Sequence, residues 1–417
     1  MLLVRPRPVL GESRHGFLLR TASVNALASP GWITSDWANS LMATPFSASE
    51  LRGPMTGHRH LAHSDIRGLP SRYWNTLRPR CCQLCLAEAP VWRSLWELVF
   101  YTDCHLHKVE LVDACSSCQR PLRWKRDDLL RCTCGAELVS ASGIDSSPLA
   151  LQKSSELARV WMEGAVSVVG DPDAMTVEEV LYRTWLIGAY GSQAARKAQK
   201  LGNLYDVAFA REIAKAAVLP TGDWPLSLFA WLDQVADHYG SVRSLRITRR
   251  FGRLYKALFD PKWERALRDV RAGFEQYVEK RWPGQLAARN RRLSMAVRDC
   301  HAWVPLTRAA EDLHWKMPRL RSAIERGIVR GHLTRHDSGR TSGTIHRDDL
   351  ARLRVEVSDE MTLLDVCAFL RMGKKTVKTL VSNGALRPTS GPLIDGCTIW
   401  RFRRRDVEAF ALRASTV

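Results

Sequence analysis

The cysteine-rich stretch between Cys81 and Gly135 constrains this chain more than any other feature. It holds eight of the 11 cysteines of the chain. Seven of those cysteines and one histidine form closely spaced pairs, namely Cys82 with Cys85, Cys104 with His107, Cys115 with Cys118, and Cys132 with Cys134. A gap of one or two residues lets a tight turn direct both side chains of a pair at one ion, and two such pairs complete a tetrahedron.

Taken in chain order, the pairs predict two structural Zn²⁺ sites. The first would be formed by Cys82, Cys85, Cys104 and His107, and the second by Cys115, Cys118, Cys132 and Cys134. Four protein ligands close a zinc site, whereas a catalytic zinc ion keeps a position open for water. Cys81 and His105 are alternative ligands beside the pairs, but Cys82 and His107 give the two-residue spacings.

Disulfides are the competing interpretation of the cysteines. The first ten residues carry two Arg and two Pro and no long apolar run, so no secretory signal is evident. Paired cysteines in an intracellular chain favour metal binding over disulfides. We therefore expect a cytoplasmic protein, and no window reaches the ~18 continuous apolar residues of a membrane span.

The charge of the chain is concentrated in its C-terminal part. Residues 241–417 contain 37 Lys and Arg against 19 Asp and Glu, a balance of +18, whereas the first 240 residues carry only +1. Such a basic region favours a polyanionic partner, and double-stranded DNA is the partner that we expect. A generally arginine-rich surface is the alternative, but it does not explain why only one end is basic.

The apolar spacing predicts a mainly α-helical fold in five parts. These are a small N-terminal helical, helix-turn-helix-like domain (1–80), a tandem zinc-binding module (81–145), a helical bundle that is basic at its end (146–300), and two winged helix-turn-helix units (301–355 and 356–417). In the first part we expect one inward-packing helix around Phe17 and Leu18 and a second over residues 35–43. His58, His60 and His63 lack further ligands and are expected at the surface.

Two further expectations concern the middle of the chain. Trp92 and Trp96 are interpreted as core between the zinc ligands, with base stacking as the alternative, because small zinc modules bury little core of their own. Thr176 and Glu179 have the spacing of a capping box at a helix N-terminus.

An internal repeat organises the C-terminal part. When the segment that starts at Ala309 is laid without gaps on the segment that starts at Val366, Leu313 falls on Leu370, Leu320 on Val377, Ile324 on Val381 and Gly327 on Gly384. Each copy reads as a short helix, a turn, a second helix ended by glycine, a two-stranded wing and a closing helix. That is the layout of helix-turn-helix proteins, whose second helix enters the major groove.

Helical periodicity separates inward from outward residues in each second helix. Leu320, Ala323 and Ile324 are expected to pack in the first copy, and Val377, Leu380 and Val381 in the second. The wings are expected over residues 331–344 and 387–400. The candidate DNA contacts are Arg319, Arg321, Ser322 and Arg326 in the first copy, and Lys374, Lys375, Thr376, Lys378, Thr379, Arg401, Arg403 and Arg404 in the second. Arginine and lysine there suit phosphate contacts; the first copy is alternatively a packing or dimer element.

The zinc segment resembles the TniQ/TnsD family of transposon target-selection proteins. The family opens this segment with an R-[YF]-C-P-x-C-L-like turn and continues with an acidic residue, an aromatic-Arg pair, C-x-x-H and C-P-x-C. The matching positions are Arg80 to Leu86, Glu88, Trp92-Arg93, Cys104 with His107, and Cys115 with Cys118. Gln83 and Ser116 stand where proline is usual, and Cys81 where an aromatic residue is usual. Gly11-Glu12-Ser13 with Leu18, Leu19 and Arg20 is similar to the family's opening.

The resemblance covers residues 5 to 140 well, and Trp224-Pro225 with Phe229 extends it more weakly. The C-terminal copies are similar to excisionase- or MerR-type winged helices. The family resemblance implies a non-catalytic adaptor, located at the bacterial nucleoid, that brings a transposon AAA+ ATPase and, through it, the transposase to a target. Some relatives bind specific DNA, and others dock on an RNA-guided CRISPR effector.

The charge and the two basic C-terminal units favour direct DNA recognition. A homodimer is a further expectation, because proteins that read duplex DNA often pair. A winged-helix transcription regulator is the alternative from another class. An enzyme is not expected, since the sequence has no H-E-x-x-H, P-loop or transposase-type carboxylate cluster.

Overall fold

The computed structural model describes residues 2–9, 11–33, 69–163, 175–192, 204–239, 246–284, 286, 290–335 and 339–415. The chain divides into two compact units. The first comprises Met1–Val235 with Lys256–Arg271, and the second Ala236–Tyr255 with Ala272–Val417. The predicted boundaries of the five parts stay predictions.

The prediction of a mainly α-helical fold is confirmed. The described helices are α1 (Arg14–Val24), α2 (Gln83–Glu88), α3 (Pro148–Glu163), α4 (Val177–Gly191), α5 (Val207–Val218), α6 (Leu226–Tyr239), α7 (Ile247–Arg250), α8 (Gly252–Leu258), α9 (Arg268–Lys280), α10 (Met295–Cys300), α11 (Leu306–Asp312), α12 (Met317–Glu325), α13 (Arg347–Ser358), α14 (Leu363–Leu370), α15 (Lys374–Ser382) and α16 (Arg404–Ser415). The described strands are β1 (Trp303–Pro305), β2 (Gly331–Arg335), β3 (Thr341–His346), β4 (Glu360–Thr362) and β5 (Arg401–Arg403).

Helix α1 confirms the predicted inward-packing helix near the N-terminus. Ser13 caps it, since its Oγ accepts a hydrogen bond from the Gly16 N–H at 2.9 Å, and Phe17 and Leu18 are buried. Gly16 allows a close approach to the cysteine-rich segment, because a Cβ there would lie 2.2 Å from the Trp92 Cβ. The helix predicted over residues 35–43 and the surface placement of His58, His60 and His63 fall outside the described residues.

Helix α4 begins with the predicted capping box. The Thr176 Oγ1 accepts from the Glu179 N–H at 3.3 Å, and the Glu179 Oε2 accepts from the Thr176 N–H at 2.8 Å. Glu179 also receives two hydrogen bonds from the Arg265 Nε and Nη2. Helices α4 and α5 pack closely at Gly188, where a Cβ would lie 2.2 Å from the Ile213 carbonyl oxygen.

The internal repeat is visible in the second unit element by element. The gapless alignment that places Leu320 on Val377 also superposes the bounds of helix α12 on those of α15, of helix α13 on α16 and of strand β1 on β4. The strand register also repeats, because Trp303 pairs with His346 in one copy and Glu360 with Arg403 in the other. Each copy has its own apolar core, and the six residues predicted to pack inward from α12 and α15 belong to these cores or pack against them.

The two wings differ. In the first copy, β2 and β3 form the predicted hairpin, which β1 extends to a three-stranded sheet in the order β1-β3-β2. The two-stranded wing predicted over residues 387–400 is wrong: this segment is mostly turn, with one isolated bridge from Ser390 to Arg401. Pro388 and Pro392 offer no N–H to a ladder, which explains the missing strand.

Candidate metal centres and nucleic-acid interface

The first Cys and His group forms where helix α2 approaches a tight turn. Cys82 caps α2, and its Sγ accepts a hydrogen bond from the Cys85 N–H at 3.5 Å. Cys104 and His107 lie on a turn closed by Lys108, whose φ is 57° and whose N–H donates to the Cys104 carbonyl at 2.8 Å. Two separate turns thus supply one pair each, as the spacing predicts.

The ligand atoms of this first group have distances that fit a zinc ion. All four lie within 4.8 Å of one another. The His107 Nδ1 is 3.2 Å from the Cys85 Sγ and 3.6 Å from the Sγ of both Cys82 and Cys104. Ligands at about 2.0–2.3 Å from a tetrahedral zinc ion stand about 3.5–3.8 Å apart. These four residues can therefore hold the ion with little rearrangement.

Glu88 orients the histidine of this group. Its Oε1 lies 2.9 Å from the His107 Nε2, so a proton on Nε2 leaves the Nδ1 lone pair facing the thiols. The same hydrogen bond raises the pKa of His107. In the sequence, Glu88 is marked only as the acidic residue of the family pattern. Its position one turn after Cys85 on the same helix is the signal that could have revealed this role.

Cys81 and His105 lie outside the group. Burial raises the pKa of the Cys81 thiol to about 12, which keeps it protonated. The His105 Nδ1 is 2.7 Å from the Tyr101 hydroxyl, and burial lowers the pKa of that imidazole. The geometry thus agrees with the preference for Cys82 and His107 over their neighbours.

The second group consists of the other two cysteine pairs. The Cys115 Sγ lies 3.7 Å from the Cys134 Sγ, and the Cys118 Sγ lies 3.9 Å from the Cys132 Sγ. All four sulfurs are within 4.8 Å of one another. Gly135 ends the last turn at a φ of 86°, a conformation that favours glycine, and its N–H donates to the Cys132 carbonyl at 2.9 Å. Four thiols in this arrangement suit a structural zinc ion.

Aromatic side chains fill the space around the two groups. Trp92 and Trp96 are 0% and 1% exposed, and their rings meet edge to face at 5.5 Å. Trp124 packs on Trp92 at 5.2 Å, and the Arg126 guanidinium lies 4.9 Å from the Trp92 ring centroid. The interpretation of Trp92 and Trp96 as core is confirmed, and the base-stacking alternative is wrong because no face of either ring is exposed.

Arg211 of helix α5 attaches the helical body to the first group. Its Nη2 donates to the carbonyls of Thr102 and Leu111 at 3.1 and 3.2 Å. Its Nη1 lies 2.7 Å from a Glu110 carboxylate oxygen, and its Nε donates to Asp103 at 3.4 Å. Thr102 and Asp103 directly precede the second pair of the first group, so this buried arginine fixes that pair against α5.

The second copy of the repeat exposes a basic recognition helix. Helices α14 and α15 form the helix-turn-helix, and Val377 anchors α15 in the core at 0% exposure. The predicted outward residues of α15 are all exposed, namely Lys374, Lys375, Thr376, Lys378 and Thr379. Three lysines on one short helix create a positive face without a carboxylate on that helix.

The arginines after the second turn segment are placed unevenly. Arg403 and Arg404 are exposed, and the Arg404 Nε is 3.9 Å from a carboxylate oxygen of Asp359. Arg401 is half-buried, with its Nε 4.0 Å from the Glu360 Oε2. Arg403 and Arg404 are therefore the better placed of the three for a phosphate.

In the first copy the predicted contacts are largely withdrawn from solvent. Arg326 is exposed, but Arg321 and Ser322 are half-buried, and the Arg321 Nη2 donates to the Thr341 carbonyl at 3.4 Å. The prediction that Arg319 faces solvent or DNA is wrong, because this side chain is 8% exposed and turns toward the second copy.

Buried charges of the second copy hold Arg319. Its Nη2 and Nη1 donate to the two carboxylate oxygens of Glu360 at 2.6 and 3.0 Å, and its Nε is 3.8 Å from Asp395. The guanidinium also stacks 3.6 Å from the Trp315 ring centroid. Helical periodicity could not reveal the burial of Arg319, because the pattern within one helix carries no information about the copy that packs against it. This contact agrees with the alternative interpretation of the first copy as a packing or dimer element.

Comparison with known families identifies the second copy. A family described as "Helix-turn-helix domain" matches residues 360–415. Residues 360–415 are a helix-turn-helix domain. Such a domain indicates DNA binding. The comparison with curated proteins found no match. Among the described residues, no helix has both the length and the apolar character needed to cross a bilayer.

Proposed function

We propose that the chain is a non-catalytic DNA-binding target-site selector and adaptor for DNA transposition. It would bring a transposon AAA+ ATPase and, through it, the transposase to the target. The observation that carries this proposal is the helix-turn-helix domain with the exposed lysines of α15, joined to two Cys/His groups of the TniQ/TnsD pattern. No catalytic residue is assigned.

The placement of the two repeat copies supports one reading helix per chain. Helix α15 presents its lysines outward, whereas α12 is attached to the second copy through Arg319. A single helix of this size contacts the bases of one half-site in the major groove. A homodimer would therefore read two half-sites, and the duplex would contact α15 together with Arg403 and Arg404.

The two Zn²⁺ ions would have a structural role. The first would be held by the group whose turn Arg211 fixes against α5, and the second by the four thiols that follow it. Zinc binding would supply folding free energy to a segment with little regular secondary structure. We propose that this segment offers the surface for the protein partner, while the C-terminal domain reads DNA.

Selection of bound duplexes from a random pool tests direct recognition. The full chain should enrich a defined sequence, and Lys375→Ala with Lys378→Ala should weaken binding to it. Loss of two phosphate contacts should flatten the slope of log K against log salt by about 2. The matched control is Lys256→Ala with Lys280→Ala, which removes the same charge from exposed lysines of the helical region.

The possible outcomes separate the candidate functions. If the full chain enriches no duplex at low salt, direct recognition is wrong, and an adaptor that docks on an RNA-guided effector remains. If a duplex is bound but no AAA+ ATPase co-purifies with the chain on that duplex, a transcription regulator is favoured. Strand cleavage that one Asp or Glu substitution abolished would refute the non-catalytic role.

A further inference from the structure

A cavity in the first copy of the repeat has no role in the function proposed above. It has a volume of about 340 Å³ and lies between helices α10, α11 and α13 and strand β1. Its charged and titratable lining consists of Arg298, Arg308, Arg347, Arg354, His301 and Asp312. Four guanidinium groups and one carboxylate give this lining a positive balance, which suits an anionic ligand.

His301 forms a buried polar wall of the cavity. It is 3% exposed, and its Nε2 lies 2.7 Å from the Gly284 carbonyl, to which it donates. Its Nδ1 makes no hydrogen bond to any residue that the structure describes. Burial lowers the pKa of His301, the hydrogen bond to Gly284 opposes this, and the Arg347 charge lowers it further. The neutral imidazole therefore offers Nδ1 as an acceptor.

The arginines offer donors around the same space. The Arg298 Nε is buried and has no hydrogen-bond partner within the described part of the chain. Arg308, Arg347 and Arg354 are exposed. Asp312 accepts one hydrogen bond from the Arg354 Nη2 at 2.7 Å, which leaves the other N–H groups of that guanidinium available. Guanidinium groups bind phosphate oxygens in pairs, with charge assistance.

The second copy of the repeat shows that the fold requires neither Arg308 nor Arg354. In the alignment of the two copies, Arg308 corresponds to Asp365 and Arg354 to Ala411. Asp365 there has another task, since its carboxylate accepts hydrogen bonds from Thr362 at the start of α14. The second copy therefore keeps only one of the three arginines, since Arg404 corresponds to Arg347.

We infer that this cavity is a phosphate-binding site. Arg308, Arg347 and Arg354 hold the phosphate oxygens, and His301 Nδ1 accepts a hydrogen bond from an N–H or O–H of the same ligand. A volume of about 340 Å³ lies at the lower end of the range for small-molecule sites, about 300–1,000 Å³, which matches a nucleoside monophosphate. A backbone phosphate of the duplex is the other source of the same chemistry. This inference does not rest on a role in transposition.

Calorimetric titration of the full chain tests the site with two probes, inorganic phosphate and adenosine 5′-monophosphate. The test variant is Arg308→Gln with Arg347→Gln. The control is Arg253→Gln with Arg291→Gln, which removes the same charge from exposed arginines outside the cavity lining. Loss of each charge-assisted contact should weaken binding by about tenfold. The thermal unfolding of each variant shows whether the fold is retained.

We expect the native chain to bind the nucleotide. The test variant should bind it about a hundredfold more weakly, and the control variant should bind it as the native chain does. Lys375→Ala with Lys378→Ala should leave it unchanged, which separates this site from the DNA-reading helix. If neither probe binds but the test variant weakens duplex binding more than the control, the phosphate belongs to DNA. If neither probe binds and both variants affect the duplex equally, or if His301→Gln leaves nucleotide binding unchanged in a folded protein, the assignment is overturned.

Discussion

Replacing Arg319 with methionine should separate the two copies of the C-terminal repeat. The substitution keeps an unbranched apolar stem but removes the guanidinium that donates two hydrogen bonds to Glu360 and lies 3.8 Å from Asp395. Both carboxylates are 5% exposed, so each would remain buried without this guanidinium; Glu360 would keep the Thr389 hydroxyl as a donor, and Asp395 the N–H groups of Gly391 and Cys397. Removing one member of a buried ion pair costs about 3–5 kcal/mol. Because each copy has its own core, we expect the cost to fall on the contact between them.

Hydrogen–deuterium exchange of the full chain would measure this local loss. A cost of about 3–5 kcal/mol corresponds to about 10²- to 10⁴-fold faster exchange through local opening at residues 317–326 and 360–362. The core residue Val377 should remain protected. The control is Arg326→Met at the C-terminal end of the same helix, where the side chain is exposed and a change within about 0.5 kcal/mol is expected.

A double substitution adds a second check on this contact. Arg319→Met combined with Glu360→Met should lower the free energy of local opening by less than the sum of the two single changes. The reason is that apolar replacement of a whole ion pair is often tolerated. The reasoning would be refuted if Arg319→Met exchanged like Arg326→Met. If Arg319→Met instead lowered the DNA affinity and the salt slope but left hydrogen–deuterium exchange unchanged, Arg319 would be a DNA contact.

Three further predictions concern the first unit. Cys118→Ser should lower the zinc content by about one ion per chain and make the protein protease-sensitive, since metal binding supplies apparent folding free energy of ~10–16 kcal/mol; elemental analysis would show this, with exposed Cys300→Ser as the unaffected control. Glu88→Gln should weaken zinc binding at the first group by about 10- to 100-fold in chelator competition, because the carboxylate no longer orients the histidine. Burial raises the pKa of Glu179, but the Arg265 guanidinium and the cap outweigh it, so the net pKa lies below the ordinary 4.5. The ionised Glu179 carboxylate therefore stabilises the fold above the ordinary pKa of 4.5, and this stabilisation is lost as the pH falls through the lower pKa of the folded state. Glu179→Gln should therefore flatten the acid limb of unfolding curves recorded between pH 6 and 3.

Local patterns in the sequence were sufficient for the elements and for the grouping of the cysteines. A spacing of one or two residues is set by the geometry of a single turn, so the four pairs converge as predicted. The periodicity of α12 and α15 likewise assigns Leu320 and Val377 to the two cores, because side-chain direction along a helix depends only on its pitch. The alignment of the two copies holds for whole elements and for strand register.

The features that the sequence did not predict depend on contacts between residues distant in the sequence, or on prolines that cannot donate a backbone hydrogen bond. The wing predicted over residues 387–400 was inferred by analogy with the first copy, and two prolines there remove ladder donors. Glu88 acquires its task only when a turn 19 residues later brings His107 to it. The local patterns of α10, α11 and α13 do not predict that their arginines line one cavity together with His301.

Arg319 shows most clearly where sequence information ends. The sequence by itself determined that this arginine lies on the outer face of an amphipathic helix, and on an isolated helix that face is solvated. Only the tertiary structure decided that Glu360 and Asp395 of the next copy cover it, because a charge is buried only where packing supplies its partners. The two Cys/His groups are the opposite case: the spacing of each pair is local, so the sequence predicted their grouping before any packing was known.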